Sequence, residues 1–98
     1  MSGYRLLDPA AIELTIAATF YEDYTSKLGT IFLNEFEWAV ELIVDMPDAW
    51  SPVTKRIRRF HLRRFPYSLL YSIVDGNMVI ISVFHQHRRP NSWRENLG

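Results

Sequence analysis

Two clusters of basic residues in the second half of the chain carry side chains that bind anions. The first cluster, residues 58–64, contains four arginines around His61, and the second, residues 85–89, contains two histidines and two arginines. An arginine guanidinium holds a carboxylate or a phosphate through two parallel hydrogen bonds, and a histidine changes its charge near neutral pH. The sequence therefore predicts that these clusters bind an anionic group or an acidic partner.

The first cluster also has a structural interpretation. Side chains alternate along a strand, so Arg59, His61 and Arg63 should share one face of it, and Arg58 should lie on the other. An arginine on the core side could pair with a carboxylate of a helix instead of binding a partner. His85 has two interpretations as well, an interior hydrogen-bonding residue or part of a target-binding or catalytic edge.

Neither cluster is expected to bind a metal ion or a cofactor. The chain contains no cysteine, and no carboxylate close to His85 and His87 in the sequence completes a set of metal ligands. The absence of cysteine also fits the reducing cytoplasm, where we expect the protein to act. The apolar stretches are far shorter than the ~18 residues that a membrane-spanning helix needs, so no membrane association is predicted.

The charge of the chain is polarised although its net charge is zero. Residues 1–50 contain two basic and nine acidic residues, a net charge of −7, and residues 51–98 contain nine basic and two acidic residues, a net charge of +7. The two halves could pair with each other across the fold, or the basic half could attract an acidic partner. A free polyanion binder usually has a basic excess over the whole domain, which this chain lacks.

Strands that position the two clusters are predicted in the second half of the chain. Apolar runs at residues 69–74 and 78–83, separated by Asp75-Gly76-Asn77, predict a buried β-hairpin. The arginine-rich segment before them predicts a third strand, and residues 4–7 predict a short edge strand.

Two helices are predicted in the first half from apolar residues at three- and four-residue spacing. The first runs from Pro9 to about residue 26, with Asp8 as its cap and Gly29 as the left-handed residue that ends it. The second runs from Thr30, its predicted N-cap, to about residue 45 and stops at Pro47. So short a turn makes the two helices an antiparallel pair.

Together these elements predict an α+β fold in a single domain, residues 1–98. An N-terminal two-helix hairpin would pack on one face of a twisted antiparallel β-sheet. Residues 48–54 would form a loop between the helices and the strands.

The order and spacing of several short motifs resemble the RelE/ParE toxins, over about residues 8–94. The final motifs are similar to the plasmid-stabilisation, ParE-like branch of that superfamily. In the first half the similar motifs are Glu13-Leu14, Phe20-Tyr21-Glu22, Leu28-Gly29, Phe32-Leu33 and Met46-Pro47 followed by Trp50. In the second half they are Arg58-Arg59 to Leu62, Arg64-Phe65-Pro66-Tyr67, Tyr71, His85, Arg88-Arg89-Pro90 and Trp93.

The resemblance implies the toxin of a type II toxin–antitoxin pair, held inactive in a hetero-oligomer with a co-encoded antitoxin. Characterised ParE-like members inhibit DNA gyrase, and RelE-like members cleave messenger RNA on the ribosome. We expect the ParE-like mode, in which the protein binds its target and is not an enzyme. The alternatives are a RelE-like endoribonuclease and a non-toxic member that only binds antitoxin.

A RelE-like active site would need a base and cations that hold the phosphate as charge builds. Ser68 and Gln86 stand where that branch keeps arginines, which disfavours a nuclease. The residues left to carry such chemistry would be Arg59, His61, His85 and Arg88.

The predicted binding surface follows the two basic clusters. Exposed large aromatic residues often mark interfaces, so Trp38, Trp50 and Trp93 are candidates for contacts with the antitoxin. The residues predicted to bind a partner are Arg58, Arg59, His61, Arg63, Arg64, Tyr67, His85, His87, Arg88, Arg89 and Trp93.

Overall fold

The computed structural model describes residues 3–98, which form a five-stranded sheet with two helices on one face. In chain order the elements are β1 (Tyr4–Leu6), α1 (Asp8–Tyr24), α2 (Leu28–Asp45), β2 (Ser51–Pro52), β3 (Arg58–His61), β4 (Tyr67–Val74), β5 (Asn77–His85) and a 3-10 helix (Ser92–Leu97). The strand order is β1-β5-β4-β3-β2. The α+β fold with a two-helix hairpin is confirmed, and the parallel pairing of β1 with β5 makes the sheet mixed.

The predicted hairpin is confirmed as β4 and β5, which pair antiparallel. Asp75 and Gly76 form the two-residue turn between them, with φ angles of 52° and 80°. Positive φ at both turn positions matches the right-handed twist of the two strands, which explains why this pair of residues directs a tight hairpin. Pairing of β3 with β4 then places the first basic cluster beside the hairpin.

Apolar residues cover both faces of the sheet. Leu69 and Tyr71 of β4 face the helices, and Leu70 faces away from them, as the alternation of a strand requires. On the face opposite the helices, the C-terminal segment brings Trp93 against Leu70 and Ile81. Trp93 is only 3% exposed, so the tail is packed on the sheet.

The turn between the helices differs from the predicted one. The left-handed residue that precedes α2 is Lys27, with φ 72°, and Thr30 is not the N-cap. Gly29, the predicted cap, lies inside the first turn of α2. A Cβ atom there would lie 2.6 Å from the backbone oxygen of Ala18. Glycine is therefore needed for the close approach of the two helices, not for its φ angle.

Two smaller predictions are also corrected. Asp8 is the first residue of α1 and not its cap; the N-cap is Leu7, whose side chain makes no capping hydrogen bond. The predicted loop at residues 48–54 contains β2, which pairs with β3. Within the described part of the chain, no helix is long and apolar enough to cross a membrane.

Candidate partner-binding site

Residues of both basic clusters meet where β3 and β5 end. Pairing of His61 with Ser68 and of Tyr67 with His85 brings the two clusters to the same edge of the fold. The backbone N–H of Gln86 donates to the oxygen of Pro66, which fixes the chain just after β5. We call this region the basic sheet end and define it as Arg59, His61, Tyr67, Ser68, His85, Gln86, His87 and Arg88.

His61 is held in one orientation by two polar neighbours. Its Nδ1 atom lies 2.5 Å from Ser68 Oγ and 3.3 Å from Gln86 Nε2, and the same Gln86 nitrogen donates to the oxygen of Tyr67. Because an amide nitrogen only donates, Nδ1 accepts, and the neutral ring carries its proton on Nε2. Burial and then the charge of Arg59 lower the pKa of His61.

His85 is half-buried, and its ring packs against Tyr67 with ring centres 4.9 Å apart. Its Nδ1 atom accepts the backbone N–H of His87 at 3.0 Å. Burial, followed by the nearby His87 and Arg88, lowers the pKa of His85. His85 therefore makes an internal hydrogen bond, as one interpretation predicts, and it is the last residue of β5; its part in target binding stays a prediction.

A cleft of about 250 Å³ opens on the sheet face opposite the helices. Arg59 and Arg88 both line it, one from each basic cluster, together with Gln86. The Arg88 guanidinium also lies over the ring of Phe84, 5.2 Å from its centre. The cleft could therefore receive an anionic side chain between two guanidinium groups.

Arg64 has a structural role. Its Nε atom donates to Glu35 Oε1 at 2.9 Å, and the backbone N–H groups of Arg63 and Arg64 both donate to Glu35 Oε2. Glu35 is only 3% exposed. Burial raises the pKa of Glu35, but these hydrogen bonds outweigh burial, so its pKa is lowered overall.

Arg88 is bound by a second carboxylate. Glu13 of α1 accepts Arg88 Nη1 at 2.9 Å, and it also accepts Ser82 Oγ and the backbone N–H of Val83. Asn96 of the 3-10 helix donates to the same carboxylate. Glu13 therefore ties α1, β5, the second basic cluster and the C-terminal segment together.

Arg58 and Arg89 also have partners within the chain. Arg58 lies on the core side, as the alternation predicts, and donates to the oxygen of Trp50 while its Nε atom lies 4.0 Å from Asp48. Arg89 pairs with Glu95 at 2.7 Å. Apart from this last pair, the ion pairs among the described residues join the acidic first half to the basic second half. Pairing across the fold is therefore confirmed for part of the polarised charge.

Comparison with known proteins identifies the family. The family model described as "ParE toxin of type II toxin-antitoxin system, parDE" matches residues 4–90. The curated Toxin ParE2 of Mycobacterium tuberculosis, in two strains, is 31% identical over 81 residues, which cover 82% of this chain and 77% of that protein. This chain belongs to the ParE toxin family. It is a ParE-type toxin of a type II toxin–antitoxin system, and the resemblance found in the sequence is confirmed.

A solved structure shares the fold of this ParE-family chain. A chain of the "Chromosomal ParDE TA system from P. aeruginosa" has a TM-score of 0.73 at 13% sequence identity. The match covers 87% of this chain and 96% of that chain. At this identity the likeness supports the fold alone.

The candidate tryptophans of this ParE-type toxin lie in different environments. Trp38 and Trp50 line a cleft of about 340 Å³ beside β3, which the basic sheet end borders through Arg59 and His61. The guanidinium of Arg63 lies over the Trp38 ring, 4.4 Å from its centre. The expectation that Trp93 is an exposed contact disagrees with its burial between the C-terminal segment and the sheet.

Sequence reasoning missed the residues that organise the site. Ser68 and Gln86 orient His61, yet the sequence offered them only as departures from the RelE-like pattern. Glu13 and Glu35 bind arginines 75 and 29 residues further along the chain. No local signal marks such a pair, although an acidic residue on the buried side of a predicted helix is a sign that it has a partner.

The site has no set of metal ligands. Among residues 3–98, no group of three or more histidine, aspartate or glutamate side chains could hold a metal ion. The chemistry that the site offers is charge, hydrogen bonding and aromatic contact.

Proposed function

We propose that this ParE-type toxin inhibits DNA gyrase by binding it through the basic sheet end, and that a co-encoded antitoxin neutralises it. Membership of the ParE family supports gyrase as the target, since that is the target the family resemblance implies. The observation that favours binding over catalysis is the hydrogen bonding of the two histidines.

A general base needs a free lone pair within reach of the proton that it removes. The Nδ1 lone pairs of His61 and His85 are both engaged by donors of the protein itself. In each neutral ring the other nitrogen then carries the proton, so it can donate but cannot accept. Neither histidine, as oriented here, can take the proton of a ribose 2′-hydroxyl.

Charge at the basic sheet end is available for a protein partner. Arg88 is partly neutralised by Glu13, whereas Arg59 is exposed and forms no ion pair with another described residue. Arg59 lies between the cleft that contains Arg88 and the cleft that contains Trp38 and Trp50. An acidic loop of the target could therefore contact a guanidinium flanked by aromatic surface.

The test is a DNA supercoiling assay with purified toxin, purified gyrase and relaxed plasmid. We expect the unaltered toxin to inhibit supercoiling, and Arg59→Glu to raise the inhibitory concentration by roughly tenfold or more, since it places like charges together at the interface. Arg56→Glu is the matched control, because Arg56 is also exposed but lines a different cleft.

Three results would contradict this function. They are the absence of inhibition by the unaltered toxin, equal loss of inhibition in both variants, and full inhibition by Arg59→Glu. Neutralisation is tested in the same assay by adding the protein encoded next to the toxin gene, which should restore supercoiling.

The alternative function is RNA cleavage, and the low pKa of His61 favours it. Burial and the charge of Arg59 lower the pKa of His61 and so favour the neutral ring that a base requires, although its Nδ1 atom is occupied. Mapping of messenger RNA ends in cells that express the toxin would detect cleavage. Cleavage that disappears in His61→Ala would establish the nuclease and overturn the gyrase proposal.

A further inference from the structure

A cleft of about 460 Å³ opens at the end of the sheet opposite the basic sheet end. It lies where β3 begins and β4 ends, and residues 47–48, 55–56, 58 and 71–75 line it. We call it the distal cleft. The eight residues of β4 connect the two ends of the sheet, which therefore lie roughly 20 Å apart. The volume is in the range of small-molecule sites.

Three basic side chains line the distal cleft. Lys55 and Arg56 are exposed, and neither forms an ion pair with another described residue. Arg58 is half-buried beside them. Arginine binds phosphate through its planar fork and lysine binds it as a compact charge. Three cations around one concave surface can therefore hold a phosphate group.

The loop that carries Lys55 and Arg56 is ordered by its own hydrogen bonds. The Thr54 hydroxyl oxygen accepts the backbone N–H groups of Arg56 and Ile57, at 3.2 and 3.1 Å. The backbone N–H groups of Val53 and Thr54 donate to the oxygen of Ile57, at 2.8 and 3.1 Å. Because the backbone of this loop is already ordered, a ligand does not have to order it, which lowers the entropic cost of binding.

The other walls of the distal cleft are also held in place. Arg58 Nη1 donates to the oxygen of Trp50 at 2.7 Å. The Tyr71 hydroxyl donates to the oxygen of Pro47 at 2.6 Å, which ties the segment after α2 to β4. An arginine fork has five N–H donors, so Arg58 keeps donors for a ligand. The cleft is therefore largely preformed, as small-molecule sites usually are.

Two carboxylates at the distal cleft indicate what else the ligand contains. The side chain of Asp48 is 92% exposed and approaches Arg58 only to 4.0 Å, and Asp75 is exposed at the hairpin turn. Hydroxyl or amino groups of a ligand could donate to these carboxylates while its phosphate binds the cations. Ile73 and Val74, 41% and 48% exposed, add apolar surface for a planar ring.

Nucleic acid fits the distal cleft less well. Its backbone presents one phosphate after another, so a surface that binds it usually has a basic excess along its whole length. Three basic and two acidic side chains give this cleft a net charge of only +1. The carboxylates of Asp48 and Asp75 would repel the phosphates next to a bound one. A compact ligand with a single phosphorylated end avoids that repulsion.

We infer that the distal cleft binds a small phosphorylated molecule of the nucleotide class. A nucleoside phosphate has phosphate groups for the cations, hydroxyl and amino groups for the carboxylates, and a planar base for the apolar surface. This site is independent of the gyrase proposal, because none of its lining residues belongs to the basic sheet end.

The test is isothermal titration calorimetry of the folded toxin with ADP, and with adenosine as the probe that lacks phosphate. We expect ADP to bind at one site per chain and adenosine to bind far more weakly. Replacing Lys55 and Arg56 together by Gln should weaken ADP binding roughly tenfold or more, through two lost charge-assisted contacts. Both side chains are exposed, so the double variant should fold, which circular dichroism checks.

Arg59→Gln is the matched control, because Arg59 is an exposed arginine of β3 outside the distal cleft. It should bind ADP as the unaltered toxin does. Absence of ADP binding even at millimolar concentration would overturn the inference. Equal binding of ADP and adenosine, an unchanged affinity in the double variant, or the same loss of affinity in Arg59→Gln would do so too.

NMR locates the bound ADP, and a short DNA duplex tests the other source of phosphate. Addition of ADP should shift the amide signals of residues 54–56 and 72–75. Shifts confined to residues 59–61 and 85–88 would overturn the inference. So would a duplex that binds more tightly than ADP and loses affinity in the double variant, since nucleic acid would then be the ligand.

A supercoiling assay separates the distal cleft from the gyrase proposal. The Lys55→Gln/Arg56→Gln toxin should inhibit gyrase as the unaltered toxin does, and a loss of inhibition would contradict the independence of the two sites. If the unaltered toxin fails to inhibit gyrase, the calorimetric test of ADP binding is unaffected.

Discussion

The arginines of this ParE-type toxin fall into two groups that the sequence does not distinguish. Arg64 and Arg88 each bind a carboxylate of a helix, Glu35 and Glu13, and so hold the helices to the sheet and its loops. Arg59 lies in the first basic cluster with Arg64 but has no such partner among the described residues. Membership of a basic cluster therefore does not define a binding site, because the position of the nearest carboxylate decides each arginine's role.

Among the substitutions that test this difference between the arginines, removal of Glu35 should lower the free energy of unfolding most. Glu35→Ala leaves the backbone N–H groups of Arg63 and Arg64 without their acceptor in a part-buried loop. We expect a loss of about 3 kcal/mol in the free energy of unfolding. Urea denaturation followed by tryptophan fluorescence measures it. A loss below about 0.5 kcal/mol would show that the loop does not depend on this carboxylate.

The same carboxylate predicts a pH dependence. The pKa of Glu35 is lower in the folded chain than in the unfolded one. Its contribution is therefore complete above the unfolded value of roughly 4.3 and is lost as the pH falls through the lower folded value. Glu35→Gln should have a shallower decline in stability over that acidic range. An identical decline in both proteins would contradict the predicted shift.

Removing Glu13 should cause the next largest loss in the free energy of unfolding. Glu13→Gln keeps the size of the side chain but loses the charged acceptor of Arg88, Ser82 and Val83. We expect a loss of about 2 kcal/mol. Amide hydrogen exchange should also become faster in the 3-10 helix, which Asn96 fastens to Glu13. Unchanged exchange there would contradict a role of Glu13 in holding the tail on the sheet.

Substitutions of the arginines themselves compare the two groups directly, with smaller expected losses in the free energy of unfolding. Arg64→Ala removes an ion pair whose arginine side chain is two-thirds exposed, and Glu35 keeps its backbone donors, so we expect a loss of only about 1 kcal/mol. Arg59→Ala should change stability by less than about 0.5 kcal/mol. Both are compared in the same urea titration. A larger loss of stability for Arg59→Ala than for Arg64→Ala would contradict the structural role assigned to Arg64 and the free surface role assigned to Arg59.

The protonation of His61 should cause the smallest change in stability. Burial and Arg59 place its pKa below the ordinary value of 6.5. As the pH falls below 6.5, the unfolded chain takes up this proton before the folded one, so a small part of the stability is lost over that interval. NMR titration of the ring should give a midpoint below 6.5, and a midpoint at or above 6.5 would contradict it.

Local signals in the sequence were sufficient for the main elements of the fold. The β-branched runs around Asp75 and Gly76 fix the hairpin, because a two-residue turn with positive φ at both positions leaves little choice of pairing. Periodicity likewise indicated both helices. The parallel pairing of β1 was beyond such reasoning, since three residues contain no signal for the strand that they will join.

The site and the surfaces of the helices were harder to predict, each for a physical reason. The contacts of Glu13 and Glu35 join residues far apart in sequence, and only the fold brings them together. Gly29 was misassigned because a glycine near a helix end suits a left-handed cap and a close helix contact equally well. Spacing alone did not separate the exposed apolar residues of α1, such as Ile16 and Phe20, from the buried ones, because α1 has apolar residues on two faces.

Hydrogen exchange of the toxin with and without gyrase tests the central claim most directly. The account predicts slower exchange at residues 58–61 and 85–88 when gyrase is present, with α1 unchanged. Protection confined to α1, or no protection under conditions in which supercoiling is inhibited, would contradict binding through the basic sheet end.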